Sequence, residues 1–297
     1  MFDLARLRLL RELSHRGTMT AVGAACGLSS SAVSQQLATL EREARAPLLE
    51  RYGRRVRLTA EGARLVAHAD IILQTIEAAE LDLRSGGEHL SGVVEVASFS
   101  TFIKARLLPA AVRVQNRFPD LRVIIHELES PDAIEAVRDG RCQLAVSFTY
   151  NLVPRPAVAG LVSHELMEEP VFLALPPSWQ SERDPIDLQR LAQEDWIVGS
   201  RHSDDRQLAE RACAVAGFAP RITHTIDDYD LLLRMVAAGF GVGFIPELGL
   251  QFPSAGTVVV RTPSGTPLRR RVCALTRRAL VKSPLVQSVL SELARAT

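Results

Sequence analysis

The stretch AVGAACGLSSSAVSQQLATLERE at residues 21 to 43, continued by ARAPLLERYGRRVRLT at 44 to 59, decides the architecture of this chain. Thr18 or Thr20 can cap a short helix from 21 to 26, and Gly27 can close it by taking a left-handed backbone. Leu28 then plugs the turn. The hydroxyls of Ser29, Ser30 and Ser31 start a second helix, in which Ala32, Val33, Leu37 and Leu40 share the buried side. The opposite side carries Ser30, Ser31, Ser34, Gln35 and Thr39, short or amide groups suited to hydrogen-bonding base edges and phosphates at close range. Small residues at 21, 23, 24 and 25 admit a close helix neighbour.

Working outward, residues 3 to 15 place Leu4, Leu7, Leu10 and Leu13 at helical spacing, and Gly17 ends that helix. On the other side, Gly53 turns a short hairpin from which Arg51, Arg54, Arg55 and Arg57 reach toward a phosphate backbone. Charge is distributed to match. Residues 1 to 58 carry ten arginines against five carboxylates, net +5, whereas the remainder is net −4 although the whole chain is +1. The basic end is therefore the polyanion-binding end, with Thr20, Ser29, Ser30, Ser31, Ser34, Gln35, Thr39, Arg51, Arg54 and Arg55 as its contact residues.

These residues resemble the LysR-type transcriptional regulators. The resemblance is carried by Leu28 to Ser30, Ala32 to Ser34, Gln36, Leu37, Leu40, Glu41, Leu48, Leu49, Arg51, Arg54, Leu58, Thr59 and Gly62. The chain departs from the family pattern at Ser30-Ser31, where Gln-Pro is frequent, at Ala44-Arg45, where Leu-Gly is frequent, and at Leu49, where Phe is frequent. The resemblance implies a homodimer or homotetramer that grips an interrupted palindrome of double-stranded DNA, with RNA polymerase as a further partner.

From residue 60 to about 84 there is no proline, and Leu65, Val66, Ala69, Ile72, Leu73, Ile76, Ala79 and Leu83 recur three and four apart. This predicts a helix of about 37 Å, able to pair with a second copy. Ser85-Gly86-Gly87 breaks it. Beyond lie alternating strand and helix patterns: VVEVAS at 93–98, a helix from 101 to 118, VIIHELE at 123–129, a helix from 132 to 138 and a strand from 143 to 148. The pattern restarts with VFLALP at 171–176, WIVGS at 196–200, a helix from 205 to 216, RITHTI at 221–226, a helix from 229 to 238 and GVGFIP at 241–246. The expected fold class is α/β: an N-terminal winged helix-turn-helix at 1–58, a linker helix and hinge at 59–87, and a two-lobed, periplasmic-binding-protein-like effector domain. Its first lobe spans 92–162 plus 268–297 and its second spans 163–267, each built on a mostly parallel sheet.

Ligands of such sheets sit beyond the strands' carboxyl ends, here between the lobes. That places a small-molecule effector, expected to bear a carboxylate, among Ser98, Ser100, Thr101, Phe148, Thr149, Ser200, Arg201, His202 and Asp227; Tyr150 leaves the same strand as Phe148. Asp227 either holds an amine or caps the helix beginning near Tyr229. GFGVGFIPE at 239–247 lacks the GxGxxG spacing of a dinucleotide site, and its glycines suit a tight helix-to-strand turn. Cys26, Cys142, Cys213 and Cys273 are too scattered to grip a metal and read as free thiols of a reducing cytosol. No signal peptide or membrane span is visible, so the chain is expected in the cytoplasm, with no metal, cofactor or catalytic residue. The alternative is an enzyme or solute-binding protein of the two-lobed fold with an appended DNA-binding domain.

Overall fold

The computed structural model describes residues 1–52, 55–84, 90–201, 203–251 and 257–295. It opens with three helices: α1 (Leu4–Arg16), α2 (Met19–Cys26) and α3 (Ser30–Ala44). Each has a side-chain cap. Asp3 accepts from Arg6 N, Thr18 from Ala21 N and Ser29 from Ala32 N. Thr18 is thus the cap of α2, and Thr20 lies exposed within it. Gly17 and Gly27 end the first two helices at φ 70° and 67°, where a side chain would be strained. α3 ends instead on Arg45 at φ 52°, a left-handed position that costs a non-glycine residue about 1–2 kcal/mol.

Leu7, Leu10, Leu13, Val22, Val33, Leu37, Leu40 and Leu48 form the core of this unit. The expectation that Leu28 plugs the turn is not met, because its side chain is 42% exposed. What packs there is backbone: a Cβ on Gly23 would lie 2.5 Å from the Leu28 carbonyl oxygen. The small residue at 23 therefore admits the turn rather than another helix.

Strands β1 (Leu49–Tyr52) and β2 (Arg55–Leu58) pair antiparallel, with Tyr52 opposite Arg55. Glu41 anchors this wing by accepting from Leu48 N at 2.9 Å and Leu49 N at 3.0 Å. Thr59 then caps α4 (Ala60–Arg84) through Gly62 N, and Gly62 passes so close to Leu48 that a Cβ would lie 2.1 Å from its carbonyl oxygen. Ala69 is buried against the helical core, while Ile71 and Ile72 of α4 are exposed at 62% and 37%. Residues 85–87, read as a hinge, lie outside the described residues.

The remaining elements are β3 (Gly92–Ser98), α5 (Ser100–Phe102), a π turn (Ile103–Leu107), α6 (Leu108–Arg117), β4 (Leu121–Glu127), α7 (Ser130–Arg138), β5 (Leu144–Tyr150) and β6 (Leu161–Leu175). There follow β7 (Asp195–Val198), α8 (Asp204–Val215), β8 (Arg221–Thr225), α9 (Tyr229–Ala237), β9 (Gly243–Pro246), α10 (Glu247–Leu250), β10 (Val259–Arg261), β11 (Arg269–Arg277) and α11 (Pro284–Ala294). The principal sheet runs β10-β6-β11-β5-β3-β4, with β9 also on β6. It is more mixed than expected: β3 is parallel to β4 and β5, but β11 is antiparallel to both β5 and β6.

Strand β6 joins the lobes. Its first part, to Pro170, pairs with β11, and its last residues, from Val171, pair with β9 and β10. A separate parallel pair, β7 and β8, completes the second lobe, bridged to the rest by Trp196 and Val242. Gly241 makes that bridge possible, since a Cβ there would lie 2.4 Å from the Asp195 carbonyl oxygen. All four cysteines are free thiols, with Cys142 and Cys213 buried.

Candidate functional site

Two sites stand out, at opposite ends of the chain. On α3, Ser30, Ser31, Ser34 and Gln35 are exposed on one face while Val33, Leu37 and Leu40 are buried on the other. The two sets arise from the 3.6-residue repeat, so burial of the leucines is what aims the polar groups outward. Ser29 is partly occupied: it caps the helix and its Oγ lies 2.9 Å from that of Ser31. Thr39 is half-buried with its hydroxyl engaged locally, donating to Gln35 O and accepting from Arg42. Arg6 ties this helix to α1 by an ion pair with Glu43 and a hydrogen bond to Gln36. The backbone of the hairpin places Arg51 on β1 and Arg55 on β2; Arg54 lies outside the described residues.

The second site is the seam between the lobes. It is lined by Phe99, Ser100, Thr101, Glu129, Phe148, Asp205, Asp227, Tyr229 and Arg270. Ser100 opens α5 rather than capping it, and Phe99 holds the cap position without a side-chain bond. Arg270 is fully buried at the centre. Its Nε donates to Glu169 at 2.7 Å and its Nη2 to Thr101 Oγ1 at 3.2 Å. Its guanidinium carbon lies 4.8 Å and 5.0 Å from the ring centres of Phe99 and Phe148, within cation–π range.

Across the seam the Tyr150 hydroxyl donates to Asp205, and Tyr229 lies 3.5 Å away. Burial drives the Asp205 carboxyl upward against the pull of that hydrogen bond and of Arg270, and lifts both tyrosines well above their ordinary value. Glu129 lines the seam from an otherwise exposed position; desolvation of its carboxyl, reinforced by Asp205 and Asp227, pushes it up to about 7. The seam holds about 10 Å³ of water-accessible space, so the lobes are closed on one another. Its mouth widens to about 260 Å³ among Glu129, Ser130, Pro131, Asp132, Phe148, Ser200, Ser203 and Asp204.

The structure sorts the expected effector residues. Ser100, Thr101, Phe148 and Asp227 line the seam, and Ser200 lines its mouth. Ser98 is wholly buried and lines neither. Thr149 lines neither: β5 continues through Tyr150, and Thr149 borders a second cavity with Arg155, Arg271 and Cys273, which Phe148 also touches. Arg201 is exposed and lines neither seam nor mouth, and His202 lies outside the described residues. Asp227 accepts from Ser200 N at 2.7 Å, whereas the cap of α9 is Asp228. Sequence reading missed Arg270, Glu169, Glu129, Asp205 and the inward role of Tyr229. The only local signal was Arg270 alternating with buried Val272 on a strand that returns to the first lobe.

Away from the seam, donor atoms of Glu95, His126 and Cys142 lie within 4.8 Å of one another, a grouping that chain spacing did not reveal. His126 and Glu95 are already paired at 2.9 Å, and burial pushes the Cys142 thiol up to about 11.

Comparison with known proteins matches residues 4–63 to the bacterial regulatory helix-turn-helix protein, lysR family, and residues 87–297 to the LysR substrate binding domain. The chain is 30% identical over 279 residues to the uncharacterized HTH-type transcriptional regulator YfeR of Shigella flexneri, covering 93% of this chain and 88% of that protein. A full-length OxyR variant from Pseudomonas aeruginosa superposes with a TM-score of 0.71 at 19% identity, covering 99% and 98% of the two chains. CbnR complexed with its target DNA superposes with a TM-score of 0.53 at 21% identity, covering 99% of each.

Proposed function

Because the chain belongs to the LysR family of bacterial transcriptional regulators, we propose that α3 enters the DNA major groove, that the β1–β2 wing follows the phosphates, and that a small molecule in the interlobe seam controls the outcome. The observation that carries this reading is the pairing, on one chain, of a helix with an outward face of Ser30, Ser31, Ser34 and Gln35 and a two-lobed seam with polar groups from both lobes. The wing contributes Arg51, Arg54 and Arg55. Exposed Ile71 and Ile72 on α4 support pairing with a second copy, which presents two recognition helices to an interrupted palindrome. The solved complex of CbnR with target DNA, similar in fold, supports the same mode.

In this reading Tyr150–Asp205 is a contact of the closed state, and an effector that prefers one lobe arrangement shifts the population between them. The change reaches DNA through the linker and the oligomer, altering bending or polymerase contact. The chain binds its effector without converting it and works in the cytoplasm; no helix among the described residues is long and apolar enough to cross a membrane. Footprinting of the full chain on genomic fragments tests the assignment. A protected interrupted palindrome whose pattern shifts with a ligand supports it, and protection without sequence preference rejects it.

A further inference from the structure

From the charges that line the interlobe seam, we propose that the effector is a small organic cation, bearing an ammonium or guanidinium group, and not the carboxylate that the hydroxyls of Ser100 and Thr101 first suggest. The inference rests on the reading of the seam as the effector site. Three carboxylates, Glu129, Asp205 and Asp227, converge on it from both lobes. Asp132 adds another at the mouth, where Asp204 is offset by Arg155.

The cations bordering this space, among the described residues, are already matched. Arg270 is paired with Glu169 at 2.7 Å, and Arg155 with Asp204 at 2.8 Å. Asp205 is engaged by Tyr150 and Asp227 by Ser200 N, both neutral donors; Arg270 also attracts Asp205, but one guanidinium shared with Glu169 leaves the carboxylates of the seam in excess. A carboxylate ligand would therefore enter against like charges in a partly desolvated space, which opposes its binding. An ammonium or guanidinium would offset them. The upward displacement of Glu129 comes first from desolvation; Asp205 and Asp227 add to it and Arg270 opposes it without cancelling it, in keeping with an excess of carboxylates over cations around this space.

The aromatic lining agrees. Phe99, Phe148 and Tyr229 border the same space, and the chain already places one guanidinium, that of Arg270, over the faces of Phe99 and Phe148. Rings with this orientation stabilise cations.

The test uses the full chain in calorimetry and thermal-shift titrations at fixed ionic strength and pH 8. Putrescine, agmatine, lysine and arginine are compared with succinate and benzoate. At least one cation is expected to bind saturably, with affinity reduced about tenfold or more in Glu129→Gln or Asp227→Asn. Binding should also weaken on acidification to pH 6, where Glu129 takes up its proton. Thr101→Val serves to locate the site without changing its charge. Succinate or benzoate binding that Thr101→Val removes, with no cation bound, overturns the cationic assignment while leaving the seam as the effector site. Cation binding that survives both carboxylate substitutions, or no binding by any of the four cations, also overturns it. A probe of either sign whose binding is untouched by all three substitutions counts against the seam itself.

Discussion

Arg270 and Glu169 stand directly opposite each other on β11 and β6 and form an ion pair at 2.7 Å with essentially no exposure to solvent. Glu169 also accepts from Leu248 N at the start of α10, so one carboxylate joins the strand that links the lobes to the second lobe's last helical turn. Glu169→Leu leaves the guanidinium uncompensated and should destabilise the effector domain by about 3–5 kcal/mol. Adding Arg270→Met should recover much of that loss, because the charge to be buried is gone. Denaturant unfolding of the single and double variants checks this, and a double variant no more stable than the single one contradicts it.

Glu129 makes stability depend on pH. Its carboxyl lies at about 7 in the folded chain against an ordinary 4.5, so between those values the folded state holds a proton that the unfolded chain has released. Folding therefore loses stability as pH rises through this interval. Glu129→Gln should match the parent near pH 5 and melt above it at pH 8. Scanning fluorimetry at both values reads the difference, and a gap that does not widen with pH is the contrary result.

Ser34 is exposed on the outward face of α3, and Arg54 follows β1 in the wing sequence. Ser34→Ala should change which base is preferred while leaving the salt dependence alone. Arg54→Ala should weaken binding to all sequences and flatten the salt slope by about one unit. Mobility shifts at several salt concentrations separate the two, and an unchanged slope for the arginine variant removes it from the phosphate contacts.

Gly62 leaves no room for a side chain. Its Cβ would overlap the Leu48 carbonyl oxygen at 2.1 Å, between the wing and the start of α4. Gly62→Ala should destabilise the DNA-binding unit by about 1–3 kcal/mol. Operator affinity should fall while ligand binding in the seam is retained, and equal losses in both would point to global unfolding instead.

Ile71, at 62% exposure, lies on the solvent side of α4 within a single chain. Ile71→Glu should shift the protein toward monomer and weaken binding to a two-half-site operator far more than to one half-site. Sedimentation velocity with matched DNA lengths reads both effects. An unchanged sedimentation coefficient would remove Ile71 from the pairing face.

Much of the amino-terminal unit follows from local rules. The leucines of α1 and α3, the caps at Thr18 and Ser29, and the glycines at 17 and 27 act within one or two turns, so their consequences can be read in sequence order. The linker also announces itself, since 25 residues without a proline, and with a glycine only in the first turn, propagate one helix. Thr149 marks the first limit. A strand read as ending at Phe148 leaves Thr149 in a loop at the seam, whereas β5 runs on to Tyr150 and its register sets Thr149 opposite Arg271.

By itself, the sequence determined the order of the parts: a capped helix-turn-helix, a wing, a long helix and two α/β lobes, each set by periodicity and by residues that start or stop an element. Only the tertiary structure decided the chemistry of the seam. Glu129, Phe148, Asp205, Asp227 and Arg270 meet there because β11 inserts between β5 and β6 and because the second lobe folds back over the first. Side chains more than a hundred residues apart acquire their charge relations from that meeting. Desolvation and Coulomb interactions depend on distance in space, to which distance along the chain is no guide.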